Sequence, residues 1–354
     1  MKNFFLASLV MLISASLSAQ NTSETDFAKF LQAERGDASK LIEAYVSPAI
    51  KGFSYGMTNG WFNTGETHKK WGFDINVTMS AVFTPSSDQY FTPGTLGLQK
   101  TTLVPSNGQA STIFGPKGTT TYNSTYTPSG TNPITGLPYS AQTITFNGPE
   151  GLDLKGSIGV NAVPVPMVQV GLGLPLKGTD LKVRFIPSTK SGSTDISMLG
   201  FGILHNIKQH IPGLKLAPVD ISVLVAYNSM KGVTSLVNTD KADSRPDSPD
   251  GAVTYKLNSW VLQGIVSKKL SVLTVYGALG YGSVSTNVDV TGSFLIPATP
   301  NSFSIKDPLA INISNTGIKG TFGLRLKLGP VTLNGDYTLQ AYNALTLGLG
   351  VSIR

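Results

Sequence analysis

The clearest pattern in the chain is a strict alternation of apolar and polar positions from Ala344 to Arg354. Five apolar residues fall on one face, and small or polar residues fall on the other; the apolar ones are Leu345, Leu347, Leu349, Val351 and Ile353. A two-residue period is typical of a β-strand. On a soluble sheet such an edge would promote aggregation, whereas in a transmembrane barrel its apolar face meets lipid. The pattern therefore predicts a barrel strand that closes against the first strand.

The same alternation recurs along much of the chain. Residues 71–83 give the first clear strand, and further strands are predicted at 152–162, 168–174, 181–186, 196–204, 219–227, 252–268, 270–290, 317–328 and 331–340. Residues 163–166 predict a turn, and 231–251 and 291–314 predict loops. Residues 84–150, rich in Thr, Ser, Pro and Gly, hold either one strand or three. The fold class is therefore all-β: an antiparallel transmembrane barrel of 12–14 strands, both limits being even numbers.

The lengths of the connections support this topology. Counting back from a periplasmic C-terminus, the longest polar loops fall outside and most short turns fall inside, as in bacterial barrels. The exceptions are 204–218, a longer inner connection, and 163–166, a short outer one.

Two elements precede the strands. Residues 1–19, with Lys2 ahead of an apolar run that ends near Ala19, predict a cleaved signal peptide. Residues 25–46 carry apolar side chains at three- and four-residue steps, and Pro48 is expected to end this helix. We expect residues 20–66, the helix with a Gly- and aromatic-rich segment, to form either a plug or a periplasmic helix without a gating role. Residues 67–354 are then the outer-membrane barrel.

Composition narrows the function. Charged residues are only 13% of the chain, about half of the usual share, which suits a lipid-facing surface. The absence of cysteine excludes disulfides and thiolate chemistry. The net charge is +7, but the basic residues are scattered, so a nucleic-acid partner is not expected. No cofactor and no metal site is predicted. The expected partners are outer-membrane lipid, the outer-membrane assembly machinery and a small hydrophobic or anionic solute.

Charges opposite the apolar strand faces are the candidate binding residues. Eight cations and four anions are placed inward by the alternation: Lys155, Lys182, Arg184, Lys256, Lys319, Arg325, Lys327, Arg354, Asp74, Asp153, Asp220 and Asp336. Six of them are the candidate ligand-binding set: Lys319, Arg325, Lys327, Asp336, Lys182 and Arg184. One hypothesis is a lumen that favours anions, for instance the carboxylate of a lipid-like solute. The alternative is a structural charge network, because inward charge is common in such barrels.

Four segments carry a family resemblance: Phe27–Tyr45, Gly60-Trp61-Phe62-Asn63-Thr64, Gly148-Pro149-Glu150-Gly151 and Gly202 to Gln209. They resemble a poorly characterised family of outer-membrane proteins from Bacteroidota, which is remotely similar to long-chain fatty acid transporter barrels. The resemblance spans most of the chain and implies an N-terminal plug that contains a helix, and uptake of hydrophobic molecules. It assigns no ligand residue. The chain departs from the usual outer-membrane ending, which closes on an aromatic residue, since Ile353 and Arg354 stand there.

The preferred function is a channel or transporter without enzyme activity. A structural or adhesion barrel would act through its outer loops, chiefly residues 84–150. An outer-membrane lipid hydrolase would use the G-x-S-x-G match at Gly52–Gly56, but that motif needs a strand before it and a helix after it, so a chance match is expected. A soluble secreted sandwich is the remaining alternative.

Overall fold

Ten antiparallel strands close into one barrel. The computed structural model describes residues 26–106, 108–127, 135–138, 140–191, 193–236, 248–296 and 303–353. The barrel strands are β1 (Phe73–Phe83), β2 (Ala162–Gly173), β3 (Thr179–Ser191), β4 (Thr194–Asn206), β5 (Asp220–Ser235), β6 (Ala252–Leu270), β7 (Leu273–Thr291), β8 (Leu309–Leu328), β9 (Val331–Leu339) and β10 (Ala344–Ile353). Each pairs with the next in sequence, and β1 also pairs with β10, as its apolar alternation predicts. The all-β antiparallel barrel is confirmed.

The predicted number of 12–14 strands is wrong, because none of the described residues between 84 and 161 belongs to a strand of the wall. These residues, here called the cap, form two small sheets from the strands Tyr90–Phe91, Thr101–Val104, Ala110–Ser111, Thr121–Tyr126 and Gln142–Asn147. Short 3₁₀ helices lie at Ser86–Gln89 and Pro93–Thr95, and the helix α2 (Leu154–Ile158) replaces the strand predicted at 152–162. The Asp153 carboxylate accepts a hydrogen bond from Gly156 N and so caps α2. Asp153 and Lys155 therefore belong to the start of a helix, and the prediction that they lie on the inward face of a strand is wrong.

Pro164 and Pro166 lie inside β2 rather than in the predicted turn, and they interrupt the wall. Gly173 exchanges backbone hydrogen bonds with Trp71 and Gly72, on the β1 side. The backbone N–H groups of successive residues in a strand point toward opposite neighbouring strands. The backbone nitrogens of Pro164 and Pro166 therefore face β3, and proline has no N–H to donate there. Accordingly β2 pairs with β3 only over Gln169–Gly173, whereas its pairing with β1 runs along the whole strand. The seam between β2 and β3 therefore lacks ladder hydrogen bonds above Gln169.

The long strands exchange their apolar and polar faces partway along. The upper half of β8 is the part before Gly317, and the lower half is the part after it. The outward face is apolar in the lower half, with Ile318, Phe322 and Leu324, and polar in the upper half, with Asn312 and Ser314. The inward face does the opposite, since Leu309, Ile311 and Ile313 are buried above, and Lys319, Thr321 and Arg325 below. Strands β5 to β7 show the same exchange. The inversion explains why 291–314 was wrongly predicted to be a loop in full, and why Lys256 points outward and not into the lumen.

Three aromatic side chains mark the level of this exchange. Tyr227, Trp260 and Tyr281 point outward on β5, β6 and β7, and the rings of Trp260 and Tyr281 are 5.5 Å apart. Aromatic girdles of this kind lie at membrane interfaces. The apolar band below them has the character of a lipid-facing surface, and the part above has a soluble exterior around an apolar core.

The main helix, α1 (Arg35–Met57), is longer than predicted and passes through Pro48. A 3₁₀ segment, Asp26–Gln32, precedes it, and the carboxylate of Glu34 accepts hydrogen bonds from Gly36 N and Asp37 N at its start. Proline removes one helical hydrogen bond, but burial of Ile50, Ser54 and Met57 supports the helix beyond it. Within the described part of the chain, no helix is both long and apolar enough to cross a membrane.

The connections differ in length between the two ends of the barrel. The cap and the connections 236–251 and 292–308 lie at one end, here called the long-loop end, where a hairpin of Ser293–Ile296 and Phe303–Lys306 also forms. The turns 174–178, 271–272 and 329–330 lie at the other, the short-turn end, together with 207–219, which carries the 3₁₀ helix Ile207–His210. The predicted signal peptide and Arg354 lie outside the described residues.

Candidate functional site

The N-terminal part of the chain runs through the barrel from the long-loop end to the short-turn end. Arg35 donates a hydrogen bond to the carbonyl of Asp307 in the connection 292–308, and Trp71 N bonds Gly173 O at the foot of β2. Between these points, residues 35–68, here called the plug, contact the inward faces of the wall strands. The wall itself begins at Phe73.

Arg184 is the central contact between the wall and the plug. It is fully buried on β3, and its guanidinium donates to the carbonyls of Met57 and Asn59 at 3.0 and 2.6 Å, and to Gln169 Oε1 at 3.1 Å. Its Cζ atom also lies 3.8 Å from the ring centroid of Trp61, a cation–π contact. One wall side chain thus holds the plug helix by its end and by the aromatic residue that follows it.

Lys319 on β8 binds the same part of the plug from across the lumen. Its ammonium donates to Thr58 O at 2.9 Å, to Thr58 Oγ1 at 3.0 Å and to Asn59 Oδ1. A helix C-terminus carries unpaired carbonyls and partial negative charge, which cations stabilise. The last turn of α1 has no basic residue of its own, so Arg184 and Lys319 provide this charge from the barrel wall.

Other polar side chains of the wall contact the end of α1 and the part of the plug below it. Gln169 Nε2 donates to Trp61 O at 3.2 Å, and Asn228 Nδ2 donates to Met57 O at 3.1 Å. Gly65 N donates to Ser267 Oγ at 2.9 Å. At the foot, Asp180 accepts from His68 N at 2.9 Å and contacts His68 Nδ1 at 2.8 Å. Contacts therefore continue along the lower lumen from β2 to β6.

Five of the six candidate ligand-binding residues are buried in the lower lumen. Lys182, Arg184, Lys319, Arg325 and Asp336 are nearly inaccessible, and Lys327 is half-buried near the short-turn end. The Asp336 carboxylate accepts a hydrogen bond from Tyr276 at 3.0 Å. The structure therefore places these charges in the lower half of the lumen, around the plug.

Two glycines let α1 approach β2 unusually closely. A Cβ atom at Gly52 would lie 2.5 Å from Val163 Cγ2, and one at Gly56 would lie 2.4 Å from Val165 Cγ2. These residues are the two glycines of the G-x-S-x-G match, which lies in the helix and not in a strand–turn–helix elbow. Ser54 between them is fully buried, and its Oγ accepts from Asn315 at 3.5 Å. The motif is thus a helix-packing surface.

A polar cluster joins the plug to the cap and to the last upper turn. Lys51 of α1 lies 3.4 Å from the Asp88 carboxylate, which also accepts a hydrogen bond from Tyr342. Burial alone would raise the pKa of Asp88, but Tyr342 and Lys51 together hold that pKa below its usual value. Burial and the bond to Asp88 raise the pKa of Tyr342 well above its ordinary range.

An apolar cavity of about 180 Å³ lies between α1, the cap and the wall, above the level of Arg184. Its lining is almost entirely aliphatic and aromatic: from the plug Ile42, Val46, Ala49, Ile50 and Phe53, and from the wall chiefly Val163, Ile196, Met230, Val253, Tyr255, Leu257, Val288 and Val290. Val163 lies on β2, which forms one side of the unpaired seam, so the cavity borders the seam on that side.

Sequence reasoning missed three functional positions. Trp61, Gln169 and His68 all contact charged partners inside the lumen. Trp61 lies in a segment already marked by the family resemblance, which was the available signal. The partner of each is more than 14 positions away in sequence, so only the closed barrel identifies it.

Comparisons with known proteins assign no activity. The model of a family of unknown function matches residues 1–353, and no curated protein matches. Among solved structures, the chain is similar to the translocator domain of the autotransporter NalP from Neisseria meningitidis, with 12% identity, 82% of this chain and 91% of that chain covered, and a TM-score of 0.31. It is also similar to the outer membrane protease OmpT from Escherichia coli, with 9% identity, 82% and 100% covered, and a TM-score of 0.27. Ail of Yersinia pestis gives 7% identity, 80% and 99% covered, and a TM-score of 0.24. Scores this low support no inference about function.

Proposed function

Because the chain belongs to a family of unknown function (DUF6588), we propose its role from the geometry: an outer-membrane barrel that binds small hydrophobic molecules above a closed plug and takes them up. The observation that carries this proposal is the apolar cavity between α1 and the wall. The lumen of a bacterial barrel is normally polar, so an apolar cavity inside one favours an apolar occupant.

Placement in the outer membrane is supported by the outward faces of the strands. The lower outward face is apolar on every strand, and the aromatic level of Tyr227, Trp260 and Tyr281 bounds it. With its longest connections outside, the barrel displays the start of α1 on the cell surface and residues 67–70 in the periplasm. Insertion by the outer-membrane assembly machinery is part of the same proposal.

Cysteine labelling tests this placement, and the cysteine-free chain makes the background clean. Lys40 and Lys70 are both exposed, at the long-loop and the short-turn end respectively. We expect Lys40→Cys to react with a membrane-impermeant maleimide on intact cells, and Lys70→Cys to react only after the outer membrane is permeabilised. Labelling of Lys70→Cys alone on intact cells would reverse the orientation, and equal labelling of both would rule out the placement.

The size of the cavity indicates the class of ligand. An apolar cavity of about 150 Å³ in a soluble protein stays dry and binds benzene. The cavity here, at about 180 Å³, therefore suits a molecule built on a single aromatic ring or a short alkyl chain. We propose that such a molecule, rather than an anionic solute, is the ligand, and that Arg184 and Lys319 act on the plug.

Filling the cavity tests its role. Gly232 lines it, and a side chain there would meet Tyr255 at 3.3 Å and Ile196 at 3.7 Å. We expect Gly232→Leu to weaken toluene binding at least tenfold, measured as radiolabelled toluene retained by proteoliposomes above protein-free liposomes. The matched control is Gly264→Leu on β6, whose added Cβ has only Leu279 O within 4 Å, at 3.9 Å. Equal binding by wild type and Gly232→Leu would remove the proposal.

The alternative functions have less support. Two cap aromatic residues, Tyr122 and Phe146, are buried, and Tyr122 packs on Phe30 of the 3₁₀ segment ahead of α1 with the ring centroids 5.5 Å apart. These side chains are therefore not available for adhesion. The buried position of Ser54 within a helix gives a lipid hydrolase no nucleophile at the outer surface.

A further inference from the structure

A second cavity lies at the short-turn end and differs from the first in volume, in the chemistry of its lining and in its opening to solvent. It measures about 780 Å³, opens to solvent, and is lined by residues 67–70, the turn 174–178 and the connection that follows β4. We call it the vestibule. It surrounds the point where the plug leaves the lumen and β1 begins.

The lining of the vestibule is strongly basic. It contains five lysines and two histidines, namely Lys69, Lys70, Lys177, Lys208, Lys215, His68 and His210, and no carboxylate among the described residues. Two carboxylates outside the lining contact lining residues: Asp180 contacts His68, and Asp220 accepts from Asn206 Nδ2 at 3.2 Å. The five lysines outnumber these two carboxylates, so the vestibule keeps an excess of positive charge.

Hydrogen bonds fix the segments that line the vestibule. Gln209 Nε2 donates to Lys177 O at 2.9 Å, which fixes the 207–219 connection against the turn 174–178. His68 forms its floor, with Nδ1 held by Asp180, so that Nε2 is directed away from Asp180. Nε2 is buried and has no hydrogen-bond partner. A buried ring nitrogen without a partner is uncommon and points to a missing one.

The chemistry favours an anion over a metal ion. His205 and His210 place their Nε2 atoms 3.1 Å apart, but no third ligand joins them among the described residues. Five ammonium groups around the opening repel a divalent cation and attract phosphate, for which lysine is a common ligand. Exposed apolar side chains stand at the same end, Leu176 at 64%, Leu216 at 95% and Trp71 at 61% exposure.

We infer that the vestibule binds a phosphate-bearing anion, with the headgroup of an acidic phospholipid of the inner leaflet as the expected source and a soluble phosphate ester as the other. The exposed apolar side chains favour the lipid, because they can contact its acyl chains while the lysines contact its phosphate. This inference is independent of the ligand of the upper cavity.

The test uses the full-length protein in a non-ionic detergent, with three probes followed by tryptophan fluorescence: dihexanoyl phosphatidylglycerol, dihexanoyl phosphatidylcholine and inorganic phosphate. The variant is Lys70→Glu/Lys177→Glu, within the vestibule. The control, Lys268→Glu/Lys269→Glu, makes the same charge change at the same end of the barrel but outside the vestibule. A second variant, Lys70→Gln/Lys177→Gln, replaces the first if the reversal lowers the melting temperature.

We expect wild type to bind phosphatidylglycerol more tightly than the other two probes, and the vestibule variant to bind it at least tenfold more weakly while the control is unchanged. Equal affinity for phosphate and phosphatidylglycerol, both lost only in the vestibule variant, would support the site and assign it to a soluble phosphate. An equal loss in variant and control, or no loss in either, would overturn the inference.

Discussion

Replacing Arg184 with alanine is expected to release the plug and open the lumen. The substitution leaves the carbonyl of Asn59 and the amide oxygen of Gln169 buried without this donor, and it removes the cation from the face of Trp61. Met57 O keeps a hydrogen bond from Asn228 Nδ2. Each unsatisfied buried acceptor costs about 1–3 kcal/mol, so the loss in plug binding is on the order of 3 kcal/mol or more. A change of that size raises the population of a detached plug by roughly two orders of magnitude.

Single-channel recording in planar bilayers measures this release. Wild type is expected to be closed, and Arg184→Ala to conduct in long openings with a preference for anions, since Lys182, Lys319 and Arg325 would then line a water-filled lumen. Arg184→Lys keeps the charge without the planar fork that bonds three acceptors, so an intermediate open probability is expected. A silent Arg184→Ala channel from a barrel with an unchanged melting temperature would show that the plug is held by other contacts.

The parts of the fold that follow one repeating rule could be predicted from the sequence. β1 and β10 alternate without interruption, because both of their faces keep one environment along their length, and their pairing in the closed barrel follows from that. The strands β5 to β8 cross from a lipid-like to a soluble environment, so their alternation inverts and their upper halves could not be recognised from a single register. Pro164 and Pro166 misled for a related reason: their missing donors face an unpaired seam, where a strand tolerates them.

The candidate site divides in the same way. Alternation, which is a local property, predicts the inward position of Lys182, Arg184, Lys319, Arg325 and Asp336. It does not predict that Arg184 and Lys319 contact the end of α1, because Met57 is 127 positions from Arg184 and Thr58 is 261 positions from Lys319. Sequence alone therefore indicated a charged lumen, and a plug as one of two roles for residues 20–66, without indicating that these charges contact the plug. Whether those charges also contact a solute stays a prediction.

The plug divides the lumen at the level of Arg184. Above it the space between α1 and the wall is apolar. Below it, buried charges such as Lys182, Arg325 and Asp336 lie in the same part of the lumen as an apolar cluster that includes Trp61 and Phe62 of the plug. A hydrophobic molecule in the upper cavity would have to cross buried charges to leave downward, which is unfavourable. Passage through the lumen therefore requires α1 to move, and the contact between α1 and β2 sets how readily it moves.

Enlarging Gly52 and Gly56 is expected to displace α1 from β2 and to empty the upper cavity. Leucine at both positions places side chains where Val163 and Val165 already stand, since even a Cβ atom would lie 2.5 and 2.4 Å from their methyl groups. Overpacking of this kind costs about 1–3 kcal/mol at each site, and here the helix can relieve it by moving into the lumen. We expect Gly52→Leu/Gly56→Leu to lose toluene binding and to form open channels in planar bilayers. The barrel itself should stay folded, which is measured by its heat-dependent mobility in gel electrophoresis.

Gly118→Leu is the matched control, because it lies in the cap with nothing within 4 Å of its added Cβ, and it should behave as wild type. If the double variant binds toluene normally and stays closed, the close approach of α1 to β2 does not hold the plug, and the contacts of Arg184 and Lys319 do so alone.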